Sequence, residues 1–134
     1  MPDRDLCFTP ATELQRLYRA RKTSPLEVMQ AVLARVDAVN PRLNAIVTLA
    51  RESALKEAKT ATAALKKKSG KLGPLHGVPV TIKDLTHTKG IRTTWGSKVF
   101  EHNVPTEDSL IVERLKSAGA IILGKTNTPE FGAG

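Results

Sequence analysis

Apolar positions recur with two different periods along this chain, and the change of period falls near Gly73. Before it the spacing is helical. Leu14, Leu17 and Tyr18 make a short stripe, Val28, Met29, Val32, Leu33 and Val36 a longer one, and Ala54, Ala58, Ala61 and Leu65 a narrow one. Side chains three and four apart share one face of a helix, so each set predicts an amphipathic helix with its apolar face in the core. After Gly73 the pattern alternates. In residues 73–84, GPLHGVPVTIKD, Val78, Val80 and Ile82 fall on one side of a strand, and Pro79, Thr81 and Lys83 fall on the other. The apolar set predicts the core face, which leaves Lys83 at the strand's end on the opposite side, next to Asp84. Residues 120–123, AIIL, read as a second, buried strand.

Local signals place the boundaries. Thr9 followed by Pro10 predicts an N-cap with proline at the first helical position. That helix is expected to stop near residues 21–23. Ser24, Pro25 and Glu27 form a capping box, a stronger helix start, and Asn40 followed by Pro41 is expected to end that helix. Residues 44–48 read as extended or as the lead into the next helix. Residues 50–68, rich in Ala, Lys and Glu, predict a helix supported by Glu52 and Lys56 four apart. The run Lys66, Lys67, Lys68, Ser69, Gly70, Lys71 is expected to close it, since cations suit a helix C-terminus and glycine the residue beyond. Residues 85–90 read as a loop and 91–97 as a short strand or extended loop. Residues 105–108 predict a turn. Leu110, Ile111, Val112, Leu115 and Ala118 then predict a helix of about three turns ending at Gly119. Residues 124–127 are expected to leave the last strand, and Pro129 blocks an immediate helix. Strand, loop, helix and strand together predict an α/β crossover.

Composition narrows the class. The 134 residues suffice for one domain with a core. The net charge of +8 is uneven, +7 over residues 1–72 and +1 over 73–134. Such a basic N-terminal part is able to attract nucleic acid or an acidic membrane surface, and the alternative is a solvated basic helical face. Only one Trp, one Tyr and three Phe are present, and none interleaves with the basic run, so the charge reads as a solvated helical face. The single cysteine, Cys7, excludes an internal disulfide and fits a reducing compartment as a bystander thiol in an N-terminal segment expected to be frayed. The polar N-terminus and the absence of a long apolar run predict a soluble, cytoplasmic protein with no membrane partner. Residues 119–126, GAIILGKT, spell a phosphate-binding loop, but four apolar strand residues stand where loop amides should face phosphate. Asn127, Thr128 and Pro129 also follow where a helix should run. No nucleotide or other cofactor is expected.

Candidate chemistry centres on Lys83. Left in water it is an ordinary strand-end lysine. Covered by protein, burial penalises its charged form, and the neutral amine accepts a proton from a hydroxyl nucleophile. The wider pattern favours the second reading. The block 73–84 is followed by Gly90, Thr94, Gly96 and Ser97. Then come Pro105, Asp108, a helix to Gly119, and Ile122, Leu123, Gly124, Lys125, Thr126 and Asn127 with Glu130 and Phe131. These blocks, in this order, closely resemble the N-terminal part of the amidase signature family, diffusely from about residue 9 and densely over 73–134.

The resemblance implies an α/β fold of N-terminal helices followed by the first strands of a mixed sheet. It implies one incomplete domain over residues 1–134, with 1–72 helical and 73–134 opening the core. It further implies hydrolysis of a carboxamide by a Ser-Ser-Lys mechanism, with Lys83 as the catalytic base and a small-molecule amide as substrate. Both serines and the oxyanion amides belong to the family's Gly- and Ser-rich segment, which follows the block matching residues 124–131. The chain alone is therefore expected to be inactive and to self-associate through exposed edges and faces. Ser97 is expected to pack or hydrogen-bond locally, Ser24 to cap, and Ser109 and Ser117 to belong to a helix. His76 is expected to bond backbone or line the site, and His87 and His102 to be solvated, none with metal-ligand spacing. Asp84 is expected to orient Lys83 or the adjacent loop. Two other readings stay open: a non-catalytic fragment that binds a partner, and the glutaminase subunit of a tRNA-dependent amidotransferase. Residues 128–132, TPEFG, look more like the general amidases than that glutaminase.

Overall fold

The computed structural model describes residues 3–67 and 70–134. Its elements in chain order are α1 (Asp3–Cys7), α2 (Ala11–Arg19), α3 (Pro25–Leu43), β1 (Ile46–Leu49), α4 (Arg51–Ala64), β2 (Pro79–Lys83), α5 (Leu110–Ser117) and β3 (Ile121–Thr126). The strands form one mixed sheet in the order β1-β3-β2. β3 lies in the middle, antiparallel to β1 and parallel to β2. The β2-α5-β3 passage is the predicted crossover.

Helices cover both faces of the sheet. On one side Met29 and Leu33 of α3 and Ala54 and Ala58 of α4 pack on Ile121 and Leu123 of β3. Alanine at 54 and 58 lets α4 lie close against the strand, and both are fully buried. On the other side Val112 of α5 packs on Ile82 and Ile122, with Val80 and Leu115 beside them. The face assigned to Val80 and Ile82 from alternation is therefore the one under α5. A register shift lies between Val80 and Thr81 opposite β3, and after it Ile82 pairs with Lys125. Paired residues of neighbouring strands share a face, so the shift turns Lys125 toward the α5 side. Gly124 sits at this irregularity, where a Cβ would lie 2.5 Å from the Thr48 carbonyl oxygen of β1.

Several boundaries differ from expectation. The segment expected to fray holds α1, whose Leu6 is buried with Leu14, Tyr18, Val28 and Ala31. Pro10, not Thr9, is the N-cap of α2, and the Thr9 hydroxyl donates to Asp5 O at the end of α1. Pro41 does not end α3 but lies within its last turn, and the helix stops at Asn44 in the left-handed conformation. The Asn40 side chain accepts from the Ala45 and Ile46 amides and donates to Ile46 O, so it carries the chain from helix into β1. Ser24 accepts from the Glu27 amide as the capping box requires. α4 ends at Ala64 with Leu65 as C-cap, so the lysine run follows the helix rather than closing it, and its Lys68 and Ser69 lie outside the described residues. Of the two forms expected for residues 91–97, the structure has the loop and not the strand. α5 has eight residues, about two turns, and Leu110 and Ile111 are exposed. β3 continues through Thr126 instead of ending at Leu123, because Gly124, Lys125 and Thr126 all pair with β2.

Candidate active site

The parallel strands β2 and β3 both run out at one edge of the sheet, the side on which open α/β sheets place their ligands. Lys83 is the last residue of β2 and is exposed. It is the first residue of a turn closed by Thr86 N donating to Lys83 O at 3.0 Å. Asp84 N donates to Thr126 O at 2.9 Å, so the turn stays attached to β3.

Asp84 points the other way and is buried, 1% exposed. Its carboxylate accepts from the Thr94 amide at 3.2 Å and from the Thr94 hydroxyl. Its backbone carbonyl accepts from Trp95 N, and the Trp95 indole donates to Leu85 O at 2.8 Å. A strand-end aspartate thus pins loop 92–97 to the turn that carries Lys83, as expected for a residue that orients the adjacent loop.

Lys125 completes this cluster, although in the sequence it stands out only as part of a false phosphate loop and of one block that carries the resemblance, with no role assigned to it. Its side chain is wholly buried. Nζ donates to Thr86 O and to Thr93 Oγ1, each at 2.7 Å, and lies 3.9 Å from Asp84 Oδ1. The Thr93 hydroxyl donates its own proton to Ile91 O, so its oxygen is free to accept. Burial pushes the Lys125 amine down to about 8 against the opposing pull of Asp84. The signal available in the sequence is a lysine directly continuing an apolar strand, where an ordinary solvated lysine is out of place. The strand register that turns it inward is absent from that pattern.

The other candidates fall outside this cluster. Ser97 donates to Glu130 Oε1 at 2.8 Å and accepts from Val99 N as the cap of a short 3-10 turn, which is local bonding. The His76 ring meets Ala61 O at 2.9 Å. His87 is exposed with its ring 5.1 Å from that of Trp95, and His102 is exposed beside Glu101. Ser24 caps α3, Ser109 stands at the N-cap of α5, and Ser117 is its last residue. The false phosphate loop is strand from Ile121 to Thr126, and no helix starts at Lys125.

Comparison with known proteins matches the chain to one family. The profile of the amidase family matches residues 27–134. An acylamidase from Rhodococcus erythropolis is 46% identical over 98% of this chain and 28% of its own length. A glutamyl-tRNA(Gln) amidotransferase subunit from Carboxydothermus hydrogenoformans is 42% identical over 97% of this chain and 27% of its own. Among solved structures, the peptide amidase of Stenotrophomonas maltophilia superimposes with a TM-score of 0.83 at 35% identity, covering 92% of this chain and 25% of that one. The chain belongs to the amidase family, and it spans little more than a quarter of the length of these curated relatives.

Proposed function

We propose that this chain is the lysine-bearing portion of an amidase that hydrolyses a carboxamide C–N bond by a Ser-Ser-Lys mechanism, with Lys83 as the base. The observation that supports it most is the setting of Lys83. It stands at the carboxyl end of a parallel strand, and the neighbouring Asp84 is tied to Thr94 and Thr126. In this reading the rest of the enzyme covers the exposed amine and keeps it neutral. On the same reading the nucleophilic serine and the bridging serine come from a Gly- and Ser-rich segment that follows the block matching residues 124–131. The nucleophilic hydroxyl attacks the amide carbonyl while its proton passes through the bridging hydroxyl to the Lys83 amine. Backbone amides stabilise the oxyanion. The proton returns to the leaving nitrogen as the C–N bond breaks; water then attacks the acyl-serine and passes a proton to Lys83, which gives it to the serine oxygen as the ester bond breaks and the carboxylic acid leaves.

The test is turnover of simple aliphatic and aromatic amides by the full-length protein and its Lys83→Ala variant. Removing a positioned base costs roughly 10²–10⁴-fold in kcat. A variant with unchanged turnover overturns the assignment. A second reading has a specific basis in the 42% identity to the amidotransferase subunit of Carboxydothermus hydrogenoformans. Release of ammonia from glutamine, dependent on a partner protein, would favour it over the general amidase.

A further inference from the structure

We propose that Lys125 is a positioning residue that sets the placement of the Lys83 amine through the turn 83–86; the inference rests on the reading of Lys83 as the base. Three chain segments meet at Lys125. Its backbone belongs to β3 and pairs with Ile82, the residue before Lys83. Its Nζ holds Thr86 O, the far end of the turn that begins at Lys83. It also holds Thr93 Oγ1, next to the Thr94 that binds the Asp84 carboxylate. Lys83 is therefore anchored through a buried neighbour on one side and a cross-linked turn on the other, although its own side chain is exposed.

Burial of a lysine at this position is costly, and replacement of a buried ion pair by well-packed apolar residues is often neutral or stabilising. Stability alone therefore gives weak grounds for the cluster, whereas a turn held in one conformation gives a specific one. No apolar side chain can donate to both Thr86 O and Thr93 Oγ1. Without those bonds the turn keeps Thr86 N on Lys83 O, the bonds of Asp84, the Trp95 indole on Leu85 O and the Thr88 hydroxyl on Thr86 O, but loses its tie to β3 at Thr86, and small misplacements of a catalytic group are expensive in rate.

The experiment uses the full-length protein, its Lys125→Met variant and Lys83→Ala as control, with kcat, KM and the pH profile of kcat/KM on one amide. Lys125→Met is expected to lower kcat by 10- to 100-fold, as an order of magnitude for a misplaced base, with KM held within about two-fold. The acid limb of kcat/KM is expected to move to higher pH, because a displaced lysine is better solvated and harder to deprotonate. A wild-type kcat, or a loss of rate with the acid limb unmoved, overturns the inference. Should Lys125→Met fail to fold, Thr93→Val removes one of the two acceptors and is judged by the same criteria. Lys83→Ala separates the two claims. If it keeps wild-type turnover, the reading of Lys83 fails and this inference with it. If it is inactive while Lys125→Met keeps its kcat and pH profile, the positioning inference alone fails.

Discussion

Lys125 sets a pH dependence that belongs to one side chain. Its amine sits near 8 in the folded chain against 10.5 in the unfolded one, chiefly through burial. Between these values the unfolded chain binds more protons, so the stability from this group rises with pH and its penalty is complete below about 8. Relative to a Lys125→Met variant, the native protein is expected to gain about 2 kcal/mol between about pH 7 and about pH 9.5, read from urea midpoints at the two values. A difference that is flat with pH would mean that the buried amine is not titrating. Gly77 carries a second single-residue constraint. Its φ is +73°, and a Cβ there would lie 2.4 Å from Pro25 Cγ at the start of α3. Neither the backbone nor the proline ring yields cheaply, so Gly77→Ala is expected to lower stability by about 2 kcal/mol or more in denaturant unfolding.

The elements differ in how much of each is set locally. α3 starts where Ser24 and Glu27 predict, and Ser24→Ala is expected to cost about 1 kcal/mol, measurable by thermal or urea unfolding. The helix runs through Pro41 because only its last turn is affected and Asn40 bonds the chain that follows. α5 shows the opposite case. Its apolar residues look like a full core stripe, yet Val112 is buried while Leu110 and Ile111 face solvent. β3 runs longer than its apolar stretch because parallel pairing with β2, not hydropathy, carries Gly124, Lys125 and Thr126.

Across the whole chain, exposed apolar groups include Leu110 and Ile111 on α5, Val104, Val99 and Phe131. β2 lies at an edge of the sheet. Such surfaces pair readily. We expect the 134-residue chain on its own to hydrolyse no simple amide and to scatter light as species heavier than 14.5 kDa at high concentration, with Ile111→Lys shifting it toward the monomer. A clean monomer mass would show that these faces do not associate.

Helical and alternating periods in the sequence were enough to place most elements and the β2-α5-β3 crossover, and ordered motif blocks were enough to point to the family. Lys83 and Asp84 could be singled out because both follow directly from a strand with a two-residue period. Hydrophobic periodicity and capping act within a few residues, so they are written into the sequence. Lys125 was not legible in the same way. Its burial and its contacts depend on a register shift between β2 and β3 and on a loop that returns from residues 93–94, contacts separated by 32 to 41 positions along the chain. Whether a lysine faces water or a carboxylate is decided by packing between distant segments, and a local pattern holds no record of that.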